Sequence, residues 1–424
     1  MNWSNAFLAL IVSACAVSAA DWTQYRGPAS DGKSAEKLAT KLPDTPQARW
    51  KTSTANGFSS FTVAGSRAFT VVMREVEGVK QEVVIALNVE TGKELWAAAL
   101  NPGKYDGGGD SGTPQNSGGD GPRSTPVVDG NRVYVLSADL LLACFNLESG
   151  KEIWKRDILK QHAGQNISWK NAASPLIEGE FVLVAGGGEK QALLGLNKLD
   201  GNVVWKGESD RMTHATPIAT TLHGVRQVIF YTQKGLVAVQ PTDGKVLWRH
   251  TVRYNVSTAA SPVVTGNIVY CSAGYGVGAT AVEVSKTGDK FTAQELWKIT
   301  GNKLANHWST PVEKDGYLYG MFQFKEYGEG PLKCVELRTG KEMWSQRGFG
   351  PGNVILVGGQ LVVLGDAGQL VIVDPSPEKY NEKARFQALT GKCWSTPAFA
   401  NGTLYVRSTR EGAAYDLSQK LTSK

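Results

Sequence analysis

The sequence lacks the short motifs that would assign a reaction on their own. It contains no Cys-x-x-Cys-His, which excludes covalently attached c-type haem, and neither His-Glu-x-x-His nor Gly-x-Ser-x-Gly occurs. Its histidines show no metal-ligand spacing, so no metal site is expected. No run of Lys or Arg accompanies the net charge of +6, and nothing indicates nucleic-acid binding. Motifs therefore assign no catalytic residue.

Long apolar runs are also missing after the first 20 residues, so no transmembrane segment is expected. The apolar stretch Phe7–Val17 is too short to span a bilayer and is followed by Ser18-Ala19-Ala20. This pattern predicts a signal peptide over residues 1–20, cleaved after Ala20, and a periplasmic or secreted protein, although the first residues lack Lys and Arg. In the alternative, Val12-Ser13-Ala14-Cys15 is a lipobox and the protein is lipid-anchored at Cys15.

Cysteine is scarce after the leader, and its placement argues against disulfides. Four cysteines remain, Cys144, Cys271, Cys334 and Cys393. Two disulfides would be the usual expectation for an exported chain. Cys144 and Cys334, however, occupy the same position of an internal repeat, four repeats apart. We therefore expect buried free thiols that pack as small hydrophobic side chains.

Internal repetition is the strongest signal that the sequence does contain. One segment recurs at intervals of about 40 to 60 residues, a spacing typical of propeller blades. Its close copies are ALNVETGKELW (Ala86–Trp96), CFNLESGKEIW (Cys144–Trp154), GLNKLDGNVVW (Gly195–Trp205), AVQPTDGKVLW (Ala238–Trp248) and CVELRTGKEMW (Cys334–Trp344). A stretched copy runs from Ala281 to Trp297. A second element, Ser/Ala-Thr/Ser-Pro followed by an apolar stretch, precedes each copy after the first.

Each repeat reads as four short strands. In the repeat that begins at Ser124, Asp129-Gly130-Asn131 predicts a tight hairpin turn, and the flanking segments are rich in Val, Leu and Tyr. No helical period of adequate length appears, so the fold class is all-β. The recurring Trp is expected on the outer strand, where its indole can pack on the neighbouring blade and donate its N–H to a carbonyl.

The segment A-x-(N/D)-x-x-T-G-x-x-x-W resembles the tryptophan-docking motif of the pyrroloquinoline quinone (PQQ) type propeller repeat. That repeat family includes quinoprotein dehydrogenases and BamB, an outer-membrane assembly lipoprotein. The resemblance covers nearly the whole chain after the leader. It implies a β-propeller and is specific for the fold, whereas it is weak for function because members differ in activity.

The repeat count predicts eight four-stranded antiparallel blades. Six copies carry the Trp, a seventh over Gly352–Leu389 has Phe386 instead, and the eighth stops after Leu417 without its outer strand. The orphan strand Ala48-Arg49-Trp50-Lys51 is expected to complete that last blade, because an open ring would leave two unpaired edges. The propeller is thus predicted over residues 48–420. Residues 21–47 are expected to form an N-terminal loop segment packed on one face, and the Gly-rich Asn101–Arg123 a loop between blades one and two.

Candidate functional residues lie at the mouth of the central channel, where the innermost strands begin. The residue before each blade start should face this mouth, and these positions hold Phe58, Arg123, Ala172, His214, Ala259, Trp308, Gly352 and Trp394. Four of these positions hold Arg, His or Trp. A purely structural repeat would not need such variation at this position, so these side chains suggest a cationic and aromatic pocket. The candidate ligand-binding residues are Asp120, Arg123, His214, Asn306, His307, Trp308, Lys392, Trp394 and, on a second strand, Arg407. The alternative is that large side chains plug the channel.

Three functions are compatible with these observations. The first is a non-catalytic binding or scaffold propeller of the cell envelope, similar to BamB, with an envelope protein as partner. The second is a quinoprotein alcohol dehydrogenase-like oxidoreductase. The resemblance would then imply PQQ stacked on Trp308 or Trp394, Arg123 near the quinone and a bound Ca²⁺. Such enzymes commonly carry two adjacent cysteines that form a disulfide, and this chain has no Cys-Cys pair. The third is a carbohydrate- or polymer-binding propeller. A small anionic or planar ligand at the mouth fits these alternatives, and a monomer is expected.

Overall fold

The computed structural model describes residues 21–43, 45–103, 121–323 and 330–418, so the predicted signal peptide, Cys15 and most of the Gly-rich loop lie outside the described residues. The described chain forms eight antiparallel sheets of four strands arranged as blades, and one sheet carries an added short strand. Almost everything else is turn and loop, apart from the one-turn helix α1 at Ile158–Gln161. The predicted eight-bladed all-β propeller is confirmed.

The strands follow the repeat in chain order. Two strands precede the first full blade: β1 (Lys33–Ser34) and β2 (Ala48–Ser53). Blades one to four are β3–β6 (Thr62–Ala64, Arg67–Val76, Val79–Asn88, Glu94–Pro102), β7–β10 (Val127–Asp129, Arg132–Leu136, Leu141–Asn146, Glu152–Asp157), β11–β14 (Leu176–Glu178, Phe181–Ala185, Leu193–Asn197, Val203–Gly207) and β15–β18 (Ile218–Leu222, Val225–Thr232, Gly235–Val239, Val246–Thr251).

The later blades repeat this pattern. They are β19–β22 (Val263–Thr265, Ile268–Ala273, Gly278–Thr287, Lys290–Ile299), β23–β26 (Val312–Lys314, Tyr317–Met321, Leu332–Glu336, Glu342–Gln346), β27–β30 (Asn353–Val357, Gln360–Leu364, Gln369–Val373, Glu382–Gln387) and β31–β33 (Ala398–Ala400, Thr403–Arg407, Glu411–Asp416). Strand β2 pairs antiparallel with β33 and supplies the fourth strand of blade eight. In this register Trp50 lies opposite Ala414. The predicted composite blade is therefore present.

The recurring tryptophans join six of the eight blades to the next. The Nε1–H of Trp96, for example, donates to the carbonyl of Leu147 at 3.0 Å. Equivalent bonds run from Trp50 to Val89, from Trp154 to Lys198, from Trp205 to Pro241, from Trp297 to Leu337 and from Trp344 to Ser376. Because these bonds cross blade boundaries, they fix the outer strands of neighbouring blades to one another at six of the eight junctions.

At five of these junctions a glycine in the turn of the next blade makes room for the indole. Gly201 has a φ of +71°, and a Cβ placed on it would lie 2.6 Å from Trp154. Gly92, Gly150, Gly244 and Gly340 meet their indoles in the same way. The same Gly–Trp contact therefore recurs at five blade junctions. In each, the glycine permits the left-handed turn and also the close approach of the indole.

Trp248 departs from this pattern. Its Nε1–H donates to the side chain of Gln227 in its own blade rather than to the next blade. The stretched hairpin of blade five is the physical reason, since its turn glycine, Gly288, has no atom within 4 Å of an added Cβ. At this junction His223 bonds the carbonyl of Val284 across the boundary instead, at 2.7 Å.

A second belt of inter-blade bonds surrounds the channel and explains the recurring Ser/Thr before proline. At each of several blade starts, a backbone N–H donates to the hydroxyl of the following blade. The bonds are Ser60 to Thr125 (3.1 Å), Thr125 to Ser174, Ser174 to Thr216, Ser261 to Thr310, and Thr396 back to Ser60 (each 2.9 Å). The last of these bonds closes the belt between blades eight and one.

The hydrophobic core is divided among the blade junctions. Each cluster of buried apolar side chains joins the facing surfaces of neighbouring blades. The cluster around Trp50, Phe61 and Tyr405 spans both sides of the composite blade and also takes in Trp22 and Leu38 from the N-terminal segment. The four described cysteines are buried free thiols within these layers.

Substitution of Gly201 by Ala tests the glycine–indole contact. Gly201→Ala should destabilise the protein by about 1–3 kcal/mol more than Gly179→Ala, because overpacking against Trp154 adds to the strain of a positive φ. Gly179 is the matched control, since its φ is +57° and no atom lies within 4 Å of an added Cβ. Urea unfolding measures both variants. Equal losses of unfolding free energy would contradict the role of the contact.

Candidate functional site

A cavity of about 380 Å³ lies at the channel mouth, where the innermost strands begin. This volume is within the range of small-molecule sites. The residue before each blade start was expected to face this mouth. The structure brings together these register residues in the cavity lining: Phe58, Arg123, Ala172, His214, Ala259, Trp308 and Trp394. Gly352, the remaining register position, is not part of the lining.

One side of the cavity is an arc of aromatic rings. Phe58 stacks on Trp394 with centroids 4.9 Å apart and an interplanar angle of 25°, and Trp394 contacts Trp308 at 4.4 Å. The arc continues through His307, which lies 4.8 Å from Trp308 and meets Tyr275 edge-on at 5.0 Å. These rings come from blades eight, six, five and one. They form a continuous aromatic wall that is partly exposed at Trp308, Trp394 and Tyr275.

The indole N–H groups of this arc hold their rings in place. Trp394 Nε1 donates to the Asp366 carboxylate at 2.6 Å, and Trp308 Nε1 donates to the carbonyl of Pro351 at 3.2 Å. These tryptophans therefore differ from the docking tryptophans of the outer strands, because their bonds fix the rings beside an open space rather than between two packed blades.

The opposite side is formed by the loop that enters blade three. Trp169 and Lys170 both adopt the left-handed conformation, with φ of +63° and +64°. Two consecutive non-glycine residues in this region are strained, and such strain persists only when surrounding contacts hold it. The Arg123 guanidinium donates to the carbonyl of Trp169 at 2.7 Å, and Lys170 forms an ion pair with Asp139 at 2.9 Å. The loop thus presents the Trp169 indole to the cavity.

His214 lies behind Trp169 and is a neutral imidazole with a defined tautomer. Its Nε2 is 2.9 Å from the carbonyl of Ser168, which can only accept, so Nε2 carries the proton. Its Nδ1 then accepts from the hydroxyl of Ser257 at 3.1 Å. Burial lowers the pKa of His214 to about 4, with a smaller effect in the same direction from Arg123. The uncharged His214 imidazole therefore helps to hold the loop in place through its hydrogen bond to Ser168.

His307 is likewise uncharged at neutral pH. It is buried at the back of the aromatic arc, and burial lowers its pKa to about 3, with His214 acting in the same direction. Since both imidazoles are neutral, Arg123 is the cationic side chain in the described part of the lining.

The N-terminal segment forms the floor of the cavity and pairs with the innermost strands of blades one and seven. Asp21, the first described residue, lies near the turns of blades one and eight, where its carboxylate accepts from the backbone N–H of Gly65. Trp22 forms a backbone bridge with Val63 of the innermost strand of blade one. The segment then rises to Tyr25, which lines the cavity, and returns to pair β1 in parallel with β27 of blade seven.

Arg26 anchors the tip of this segment. Its buried guanidinium donates to the carbonyls of Thr310 at 2.7 Å, of Pro311 at 2.8 Å and of Asp31 at 3.0 Å. Lys33 adds an ion pair with Glu313 of blade six at 2.8 Å. Trp22 and Arg26 are both buried, and Tyr25 lines the cavity above them.

Asn306 and Lys392 are not part of the cavity lining. Asn306 is buried beneath it and bonds Tyr270 and the carbonyl of Met321. The Lys392 ammonium lies beside the arc, 3.2 Å from the Asp366 carboxylate and 5.3 Å from the centroid of the Trp394 ring. Asp120 lies outside the described residues.

Arg407 is a structural residue of the ring closure. Its guanidinium donates to the hydroxyl of Thr70 at 2.7 Å and to the carbonyls of Val71 at 3.0 Å and Ala55 at 2.9 Å. Burial lowers its pKa to about 9. A position on the second strand of blade eight therefore directs this side chain into the junction with blade one and away from the mouth.

Tyr25, Trp169 and Tyr275 are lining residues that the repeat register could not locate. All three belong to segments without a counterpart in the other blades. A tryptophan outside the docking register (Trp169) and a tyrosine between two glycines (Tyr275) were the available signals in the sequence.

The donor set of the cavity does not fit a PQQ–Ca²⁺ pair. Ca²⁺ prefers several carboxylate and carbonyl oxygens, whereas the described lining contains no carboxylate or carboxamide. No group of three or more His, Cys, Asp or Glu able to hold a metal is found within the described ranges. One arginine also offers little compensation for a multiply charged quinone.

Comparison with known proteins identifies relatives and a shared architecture. The family profile described as outer membrane protein assembly factor BamB matches residues 80–320, more than half of the chain. The BamB proteins of Yersinia pestis and Shewanella oneidensis are each 25% identical, over 259 and 264 residues. Both matches cover 59% of this chain, and they span 60% and 64% of the relatives' own lengths.

Solved structures show the fold alone. BamB from Moraxella catarrhalis superposes with a TM-score of 0.57 at 14% identity, covering 88% of this chain and 99% of that chain. The quinohemoprotein alcohol dehydrogenase from Comamonas testosteroni superposes with a TM-score of 0.64 at 12% identity, covering 96% and 82%. Among the described residues, no helix is long and apolar enough to cross a membrane.

The buried neutral His214 predicts a loss of stability in mild acid. An unfolded histidine has a pKa near 6.5, so the unfolded chain binds a proton that the folded protein excludes until the pH nears 4. The unfolding free energy should therefore fall as the pH decreases through this window, by about 3 kcal/mol from His214. Urea unfolding at pH 7, 6, 5 and 4 measures it. His214→Gln should flatten the dependence by this amount, and an unchanged slope would contradict the assignment.

Proposed function

This chain belongs to the family of the outer membrane protein assembly factor BamB, and on that premise we propose that it is a non-catalytic binding scaffold of the cell envelope. In this role the propeller docks another envelope protein on its rim. The proposal includes export, by cleavage after Ala20 or by lipid anchoring at Cys15. The observation that carries it, beyond the family, is the distribution of exposed apolar side chains.

Exposed large hydrophobic residues are confined to three consecutive blades. In the described part of the chain, all of them belong to blades one, two and three: Val79 (46% exposed), Leu95 (46%), Ile153 (42%), Leu199 (51%), Val203 (37%) and Val204 (52%). Single exposed apolar residues are normal on a soluble protein. Six on adjacent blades are instead typical of a surface that a partner covers.

The repeat itself shows that this exposure is not imposed by the fold. Leu95, Ile153 and Val204 each stand immediately before the outer-strand tryptophan of their blade and are exposed. In blades four to six the same register holds Leu247, Leu296 and Met343, which are partly buried and pack on the neighbouring clusters. Because one position is covered in three blades and open in three others, the open side is the better candidate for a docking surface.

The outer strands of these blades also suit a polypeptide partner. A strand on the rim has one edge free of pairing with its own sheet, and β14 carries the exposed Val203 and Val204 on such an edge. An extended segment can add to such an edge through main-chain hydrogen bonds, with apolar side chains supplying further contact area. The proposed partner is therefore a protein.

Photo-crosslinking tests the proposed docking surface. With p-benzoylphenylalanine at Val204, irradiation of intact cells should give adducts with an outer membrane assembly protein, identified by mass spectrometry. The matched control is the same residue at Arg338, whose side chain is 61% exposed on blade six. Val204→Lys combined with Ile153→Lys should reduce co-purification of that partner at least tenfold, about 1.4 kcal/mol, and leave the melting temperature unchanged.

Two results would contradict this function. Equal adducts at Val204 and Arg338 would show non-specific proximity rather than docking. Adducts restricted to cytoplasmic proteins, together with an intact mass that retains residues 1–20, would contradict location in the envelope.

A further inference from the structure

We propose that a surface groove between blades three and four binds an acidic segment of the partner protein, a stretch of chain rich in Asp and Glu. The inference rests on the proposed function in one respect, because it takes the partner of this chain to be a protein. It adds the chemistry by which that partner is recognised. The groove is separate from the cavity at the channel mouth, since the two share no described lining residue.

The groove opens on the mouth face, which is the face of the propeller that carries the channel mouth. It encloses about 570 Å³. Its walls are the turn between β12 and β13, the end of β14 with the segment that follows it, the turn between β16 and β17, and β18. The outer strand of each blade ends where the chain enters the next blade, so these elements meet at one face. Segments of two neighbouring blades therefore line a single open depression.

Charges in the groove are layered, with carboxylates below and cations above. The Asp210 side chain is only 5% exposed, and its carboxylate pairs with the Lys234 ammonium at 2.9 Å and with the Arg249 guanidinium at 2.8 Å. Arg249 also pairs with Glu208, whose side chain is 21% exposed. The two cations are more accessible, at 72% for Lys234 and 41% for Arg249. Because an approaching ligand meets the cations first, the groove presents positive charge to it.

Further cations surround these ion pairs. Lys190 lines the groove, Lys206 and Arg211 lie on either side of the lining segment of blade three, and Arg253 follows the end of β18. All four are exposed, and none forms an ion pair with a carboxylate of the described ranges. Glu189 is the exposed carboxylate beside them. Six cationic side chains thus stand against three carboxylates in and around the groove, which favours an anionic ligand.

The surroundings of the groove favour a polypeptide over a membrane surface. Membrane-binding surfaces combine basic residues with apolar side chains that enter the lipid. In the described part of the chain, none of the exposed large hydrophobic residues lines the groove. By contrast, β14 is an outer strand that ends in the groove at Gly207 and has one edge free of pairing within its own sheet. An extended segment can use such an edge for main-chain hydrogen bonds.

The same strand connects the groove to the docking surface on the rim. β14 begins with the exposed Val203 and Val204 and ends at Gly207 in the groove. At a rise of about 3.3 Å per residue, the two ends of the strand are about 13 Å apart. One extended segment can therefore contact both regions. We accordingly expect the acidic residues of the partner to adjoin apolar residues in its sequence.

Fluorescence anisotropy with labelled peptides tests the proposal on the purified full chain. The probe is an eight-residue peptide of alternating Asp and Ser, and its uncharged counterpart has Asn in place of Asp. The Asp peptide should bind at least tenfold more tightly than the Asn peptide, a difference of about 1.4 kcal/mol, because the groove attracts only the charged peptide. This preference should shrink as salt is added, since salt screens exposed charges.

Two double variants locate the binding. Lys190→Glu with Arg211→Glu reverses two cations outside the ion pairs of the groove and should weaken binding of the Asp peptide at least tenfold. Lys151→Glu with Lys245→Glu is the charge-matched control and should leave this affinity unchanged. These two lysines are exposed in the turns before the outer strands of blades two and four, at the face opposite the mouth. Circular dichroism and the melting temperature verify that both variants are folded.

The proposal is overturned if the Asp and Asn peptides bind equally, or if the two double variants lose the same affinity. It is also overturned if the chain sediments with phosphatidylglycerol vesicles at concentrations where it does not bind the Asp peptide, because the basic surface would then recognise anionic lipid. The crosslinks at Val204 report on the proposed function separately. Specific crosslinks without binding of the Asp peptide remove only the acidic ligand of the groove, whereas binding of the Asp peptide without specific crosslinks removes only the docking surface on the rim.

Discussion

Closure of the ring is the constraint on which the rest of the structure depends. Eight blades can bury their faces only if the last one meets the first, and here that blade is assembled from both ends of the propeller, through β2 and β33. The junction is reinforced by the Trp50 bond to Val89, by the Thr396 bond to Ser60 and by the buried guanidinium of Arg407. The largest apolar cluster of the protein lies around the same blade. Each of these contacts joins residues that are distant in sequence.

Repetition determines which features of the molecule can be predicted from the sequence. Blade number, strand order and the composite blade follow from periodic turns and tryptophans, and the same register placed Arg123, Trp308 and Trp394 at the mouth. Segments that occur once carry no such information. Trp169 depends on a strained loop, and Tyr25 depends on an N-terminal segment whose path through the channel is fixed by the buried bonds of Arg26. These are tertiary contacts between segments that are distant in the sequence, so no local sequence pattern predicts them.

The rim of blades one to three and the channel mouth are different parts of one scaffold. The rim of blades one to three is a region where the repeat leaves apolar side chains uncovered, and the mouth is a region where irregular residues replace the repeat. The N-terminal segment contributes Tyr25 to the lining, so that the mouth is a pocket with a floor. The inter-blade bonds hold both regions on rigid strands.

Native-state hydrogen exchange of the composite blade tests the ring-closure account most directly. The account predicts that the amides of Trp50 and Thr52, which face β33, exchange only through global unfolding, with the same free energy as the amides of Val237 and Ala238 in the middle of blade four. Free energies several kcal/mol lower in β2 would show that this strand detaches while the other blades stay folded. That result would contradict closure of the ring as the constraint that holds the propeller together.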